Sequence, residues 1–287
     1  MRTAYAALIG SLSLAAGCDR VFGLEGDLHV DADVSDAHPR VDTPIEPGCT
    51  DWGPIEILSA TGADPTLRFD RLEILVAGDD NGIRGKQLYH ATRTSDVAPF
   101  GGGSQLSVND FQDDWDPALS GDGLTLVWKS YRTYVPRLYV ARRAMLDASF
   151  GAPSLLDANL SAEGGVDLSP DGQTVYVSSG LGTDDVLWQI PLVDKTLGTK
   201  LQVGTNIRFP SVSADGLTLY AHDAPRNLYT LTRAATDLPF DPATRAIFDT
   251  NGVGGTDPDI SADNETLTYQ AGGGRGIAML RRTCSDP

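Results

Sequence analysis

The chain has 287 residues, 41% of them hydrophobic, enough to bury the core of one large all-β domain or two smaller ones. Its formal net charge is −17 and its pI is near 4.4. So acidic a surface repels phosphate backbones and argues against nucleic-acid binding; its plain meaning is solubility.

Met1-Arg2 gives a short positive start, and Ala4 to Ala16 is a small apolar run too short to span a membrane comfortably. It ends in Leu14-Ala-Ala-Gly-Cys18, which resembles the bacterial lipobox, in which the cysteine is lipid-modified and the preceding peptide (here 1–17) removed. One departure is visible: leucine usually lies three residues before the cysteine, where this chain has Ala15. The alternative is an ordinary secretory signal with a chance cysteine, and both readings send the chain out of the cytoplasm. Lipid on Cys18 would hold the protein to an envelope membrane, on the periplasmic or outer-membrane side.

Residues 18–48 then read as a tether. Positions 19–48 carry eight acidic and two basic side chains, prolines and little apolar periodicity, too little to offset the entropy of ordering. From Cys49 to the end, 49–287, short runs rich in Val, Leu, Tyr and Thr alternate with Gly, Asp and Pro clusters, the texture of an all-β domain.

Five gapless copies of one phrase organise that domain. They begin at Asp64, Asp116, Gly165, Phe209 and Asp257, with turn aspartates at Asp70, Asp122, Asp171, Asp215 and Asp263. The spacing of 44–52 residues suits one propeller blade per copy. Gly123, Gly172 and Gly216 follow their aspartates and suit a tight hairpin turn; Asn264 takes that part in the last copy, since Asn tolerates a positive φ. Arg71 in the first copy fits poorly and predicts a distorted turn. After each turn comes a strand apolar on both faces, then an element such as Leu138-Tyr-Val-Ala-Arg-Arg143, and in three copies a Phe seven residues beyond the arginine (Phe100, Phe150, Phe240). The phrase [P/D]-x-[L/I/V]-S-x-D-G-x-T-[L/V], followed by L-Y-x-x-x-R, resembles the TolB-type, WD-repeat-like β-propeller repeat of bacterial envelope proteins over about residues 50–283. The resemblance implies fold strongly and function weakly.

The expected fold is therefore a five-bladed propeller. Its last blade lacks an outer strand, and Trp52-Gly-Pro-Ile-Glu-Ile-Leu58 matches the Phe150 strand, so the N-terminal strand is expected to complete it. Cys49 and Cys284 flank this junction, and a disulfide between them would replace the missing loop and close a very long one, worth roughly 4–5 kcal/mol in the chain-entropy picture.

Motifs for chemistry are mostly lacking: there is no G-x-S-x-G, H-E-x-x-H or phosphate-binding loop, and His90, His222 and the glycine-rich loop after Phe100 read as ordinary blade residues. Asp64, Asp116 and Asp257 share one repeat position at the start of the innermost strand. Three carboxylates converging there offer oxygen ligands to calcium, or a site for a basic partner, or merely cap backbone amides. No cofactor other than that calcium is expected. The sequence favours a monomeric envelope module that binds or scaffolds another envelope protein or peptide. The alternative is a secreted carbohydrate-active enzyme using the central carboxylates.

Overall fold

The computed structural model describes residues 51–79, 85–157, 160, 164–180, 185–223, 225–248, 250 and 254–283. The signal sequence, Cys18, the tether, Cys49 and Cys284 lie outside the described residues. The chain opens with β1 (Asp51–Trp52) and β2 (Glu56–Ile57). Blade I is β3 (Ala63–Leu67), β4 (Glu73–Asp79), β5 (Lys86–Thr92) and β6 (Ser104–Gln105). Blade II is β7 (Asp114–Leu119), β8 (Thr125–Ser130), β9 (Arg137–Arg142) and β10 (Ser154–Leu155). Blade III is β11 (Val166–Leu168), β12 (Thr174–Ser179) and β13 (Val186–Val193), with β14 (Thr196–Leu197) and β15 (Leu201–Thr205) both paired to β13. Blade IV is β16 (Ser211–Val212), β17 (Thr218–His222), β18 (Leu228–Thr232) and β19 (Asp241–Ile247). Blade V is β20 (Gly255–Ile260), β21 (Thr266–Ala271) and β22 (Ile277–Thr283).

β1 and β2 complete blade V as expected: Trp52 faces Arg282 and Glu56 faces Met279 on the outer edge of β22. The ring closes through its core. One hydrophobic cluster fills each of the five spaces between adjacent blades: Leu75 with Trp128, Val127 with Val175, Tyr176 with Leu219, Tyr220 with Leu267, and Ile74 with Met279. A single blade would leave both faces of its apolar second strand in water, so the sequence folds only as a ring.

The repeat phrase builds one turn. In blades II to V the serine hydroxyl donates to the turn aspartate and accepts the N–H of the threonine that opens the next strand, as Ser120 does with Asp122 (2.5 Å) and Thr125 (2.9 Å). The aspartate in turn accepts a backbone N–H two residues on, from Leu72, Leu124, Gln173, Leu217 and Glu265. The residue after it has positive φ: Gly123 (72°), Gly172 (69°), Gly216 (70°), Asn264 (59°) and Arg71 (62°). Blade I is not distorted, contrary to the expectation from Arg71. Its turn keeps the same backbone bonds, with Arg68 in the serine's place holding Asp70 through two 2.8 Å bonds. Arg71 tolerates the left-handed conformation because its guanidinium is anchored to Asp263 (2.6 Å) and Glu265 (2.9 Å) of blade V.

The repeated arginine latches each such blade. Arg93, Arg143, Arg233 and Arg282 donate Nε to the carbonyl of that positive-φ residue at 2.6–2.8 Å. Each guanidinium also lies 4.4–4.7 Å from the centre of an aromatic ring: Phe100, Phe150 and Phe240, each just before its blade's outer strand, and Trp52 of β1. Blade III has no such pair; buried Leu192 stands in the arginine's place, and β13 runs on into the β14 hairpin.

The turn glycines give a graded prediction. A Cβ on Gly172 meets nothing nearer than 3.3 Å, whereas one on Gly123 lies 2.8 Å from Leu146 and 2.9 Å from Arg68. Gly172→Ala should cost about 1 kcal/mol of backbone strain, and Gly123→Ala about twice that. Urea midpoints of the two variants check the order.

Candidate functional site

The five innermost strands, β3, β7, β11, β16 and β20, line the central channel, each against its neighbours around the ring. Four of them carry the same backbone irregularity. Asp64 (φ 49°), Asp116 (48°), Phe209 (51°) and Asp257 (52°) are left-handed immediately before Pro65, Pro117, Pro210 and Pro258, and Gly165 (99°) occupies the fifth copy. In blades I, II and V the ladder slips at this point, a bulge that turns the side chain toward the axis. Left-handed non-glycine residues are costly, and a repeated cost at one level of the channel marks a place where position is held against preference.

The structure brings Asp64, Asp116 and Asp257 together. Asp64 is in side-chain hydrogen-bond contact with both of the others, and its carboxylate accepts the Asp116 N–H at 3.4 Å. Lys129 of β8 reaches Asp116 at 2.5 Å. Three carboxyl groups thus share one cation. Burial, then the charges of Asp116 and Asp257, push Asp64 well above the usual carboxylate range. Burial and the Asp116 charge raise Asp257 to about 6. Burial alone would lower Lys129, but Asp116 and Asp64 outweigh it and keep the ammonium charged.

His222, first read as an ordinary strand residue, borders this group. Its Nδ1 accepts the Asp257 N–H at 3.1 Å, and its ring stacks on Phe209 at 4.9 Å. Burial, with the charge of Arg208, lowers it to about 4, so it is neutral at pH 7. The channel here narrows to a cavity of about 30 Å³ lined by the Asp-Pro and Phe-Pro corners. Among the described residues no group of three or more Asp, Glu, His or Cys side chains is arranged to hold a metal ion.

Two further channel carboxyls escaped the sequence reading. Two residues past the bulge, Asp167 accepts the Val212 N–H (2.8 Å) and Asp259 the Leu67 N–H (3.0 Å). Ser211 accepts the Ile260 N–H (2.9 Å) at the same level. These side chains tie one blade's inner strand to the next. Burial raises Asp259 to about 7 and, with the Asp259 charge, raises Asp167 well above its ordinary value. The sequence signal was a polar residue alternating with the apolar ones, as in Asp257-Pro-Asp259, but which backbone it caps depends on the neighbouring blade.

Fold and site together define a five-bladed β-propeller with an acidic, strained channel mouth. No family model matches the chain, and no curated protein matches it in sequence. Solved structures do match. TolB from Acinetobacter baumannii is 14% identical with a TM-score of 0.46; the match covers 81% of this chain, which spans only 55% of that one. A TolB from Agrobacterium tumefaciens is 14% identical with a TM-score of 0.51, over 74% of this chain and 70% of that one. The catalytic domain of an α-L-arabinofuranosidase from Coprinopsis cinerea is 12% identical with a TM-score of 0.56, over 82% and 98%. At such identities the likeness is one of fold.

Proposed function

We propose that the chain is a lipid-anchored cell-envelope propeller that binds a protein partner at its channel mouth, where Asp64, Asp116 and Asp257 receive a basic side chain. The observation that supports this best is two buried carboxyls, Asp64 and Asp116, and half-buried Asp257 sharing the single charge of Lys129 around a cavity of about 30 Å³. That space takes a water or the tip of one inserted side chain, and a sugar ring exceeds it. A guanidinium or ammonium arriving there supplies the missing charge, and the raised carboxyls ionise to meet it. In this reading Cys18 carries the lipid, residues 19–48 form the stalk, and a Cys49–Cys284 bond fixes the closing strand.

A carbohydrate-active enzyme using the same carboxylates is the second reading. Asp257, near 6, would exchange protons at neutral pH as a general acid must, but the narrow cavity speaks against it. The test is cross-linking in intact host cells, then purification and mass spectrometry, with the unaltered chain and with Asp64→Asn/Asp257→Asn. One dominant envelope protein, recovered with the first and lost with the second, is expected. No partner above background, with glycan hydrolysis lost in the same variant, would hand the site to the enzyme reading.

A further inference from the structure

Away from the channel, between blades I and V, lies a larger groove of about 610 Å³, bordered by His90, Gly101, Gly102 and Gly103. Strands β5 and β6 place Ser104 directly across from His90. Ser104 Oγ is 2.8 Å from His90 Nε2, and His90 Nδ1 is 3.0 Å from Glu73 Oε1. We propose that Ser104, His90 and Glu73 are a nucleophile, base and orienting acid that hydrolyse small uncharged carboxylic esters in this groove.

The tautomer follows from the partners. A carboxylate can only accept, so His90 Nδ1 must donate to Glu73. In the neutral ring the Nε2 lone pair is then left to accept the Ser104 hydroxyl proton, the polarity that serine nucleophiles require. Exposure is graded in the same sense: Ser104 is exposed, His90 half-buried and Glu73 buried. Just before the serine, Gly101 donates its N–H to Thr92 (2.9 Å), while Gly102 and Gly103 donate to no other backbone carbonyl among the described residues. A Cβ on Gly102 would meet nothing within 4 Å. These two unpaired N–H groups are the donors that the proposal assigns to a developing oxyanion.

The groove also limits the substrate. Its described lining mixes Ala60, Val76 and Ala91 with Ser59, Thr61 and Gln270, and Lys86, the one Lys or Arg among the described lining residues, is paired with Asp79 at 2.9 Å. Among the described residues no unpaired charge there compensates a charged acyl or alcohol group. In the reaction His90 takes the Ser104 proton as Oγ bonds to the ester carbon. The C–O bond to the alcohol breaks and His90 protonates the departing oxygen. Water, deprotonated by His90, then cleaves the acyl-serine, returning the serine and releasing a carboxylic acid.

The experiment uses the folded full chain with a fluorophosphonate probe and with p-nitrophenyl acetate. Expected are a phosphonyl adduct on the peptide holding Ser104, with fluoride displaced, and a p-nitrophenol rate that falls at least ~10³-fold in Ser104→Ala and His90→Gln. His90 borders the groove and Ser104 is exposed next to it, and circular dichroism melts establish that the variants fold. No adduct at Ser104 on the folded chain, or a Ser104→Ala variant hydrolysing as fast as its parent, overturns the proposal. A serine held only as a strand hydrogen-bond partner would give both of those results.

Discussion

Replacing Glu73 with alanine is expected to remove about 3–5 kcal/mol of folding free energy. Glu73 is almost wholly buried at the start of β4, and it holds two buried guanidinium groups: Arg68 of its own blade at 2.9 Å and Arg143 of blade II at 2.6 Å. Arg143 is fixed from the other side by its bond to the Gly123 carbonyl (2.7 Å) and its stack on Phe150. It cannot swing into water without unlatching blade II. The alanine variant therefore leaves two desolvated cations against one another, a worse state than losing a surface ion pair. Burial on its own would raise the Glu73 carboxyl; the bonds from His90 and Arg143 and the charges of Arg143 and Arg68 outweigh it and hold the group at about 2. A depressed pKa gives stability that is present above the unfolded value of about 4.5 and is lost as pH falls through 2. Urea unfolding at pH 7 and pH 3 tests both parts: the variant should be far weaker at pH 7, with a smaller gap at pH 3. A loss under 1 kcal/mol at pH 7 would remove Glu73 from the joint between blades I and II.

Much of this architecture was legible because it is local and repeated. The Asp-Gly turns, the arginine that follows them and its aromatic partner all lie within one blade. Even the closing strand was legible, since Trp52 sits where Phe150 sits in an intact copy and stacks on Arg282 accordingly. Arg71 misled for a physical reason: its turn is held by Asp263 and Glu265, about 190 residues away, which no local rule reveals. Separation in the chain, across blades, likewise hid the Glu73–Arg143 pair and the caps made by Asp167 and Asp259. Asp64, Asp116 and Asp257 were found because the repeat aligns them; their coupling to Lys129 was not, since that lysine has no counterpart in the phrase. His90 and Ser104 looked ordinary because a cross-strand pair has no fixed sequence spacing; only the register of β5 and β6 joins them.

The channel carboxyls reverse the usual pH response, and Asp259→Asn should expose it. Asp259 must cap the Leu67 N–H from inside the ring, where burial raises its pKa from 3.8 to about 7. Below the unfolded value both states hold the proton and the cap costs nothing electrostatic. As pH rises through 7, the folded state must either ionise a buried group or keep a proton that the unfolded chain has already released. The stability tied to this group is thus full in acid and lost toward neutrality, by on the order of 3 kcal/mol once channel solvent is allowed for. Asparagine keeps an acceptor for Leu67 and carries no charge. Its variant should match the parent near pH 4 and exceed it by that margin at pH 8. Other groups work in the opposite direction: Glu73, near 2, and His222, near 4, both favour the folded state more as pH rises through their windows. The parent's own profile mixes these with the raised carboxyls of Asp64, Asp167 and Asp257, so the informative quantity is the difference between variant and parent, read from urea midpoints at pH 4, 6 and 8. A difference that stays flat across that range would mean that Asp259 ionises freely, with water filling the channel beside it. The strain at Asp64, Asp116 and Asp257 would then surround an open aqueous pore, and the inserted basic side chain would have no desolvated site to enter.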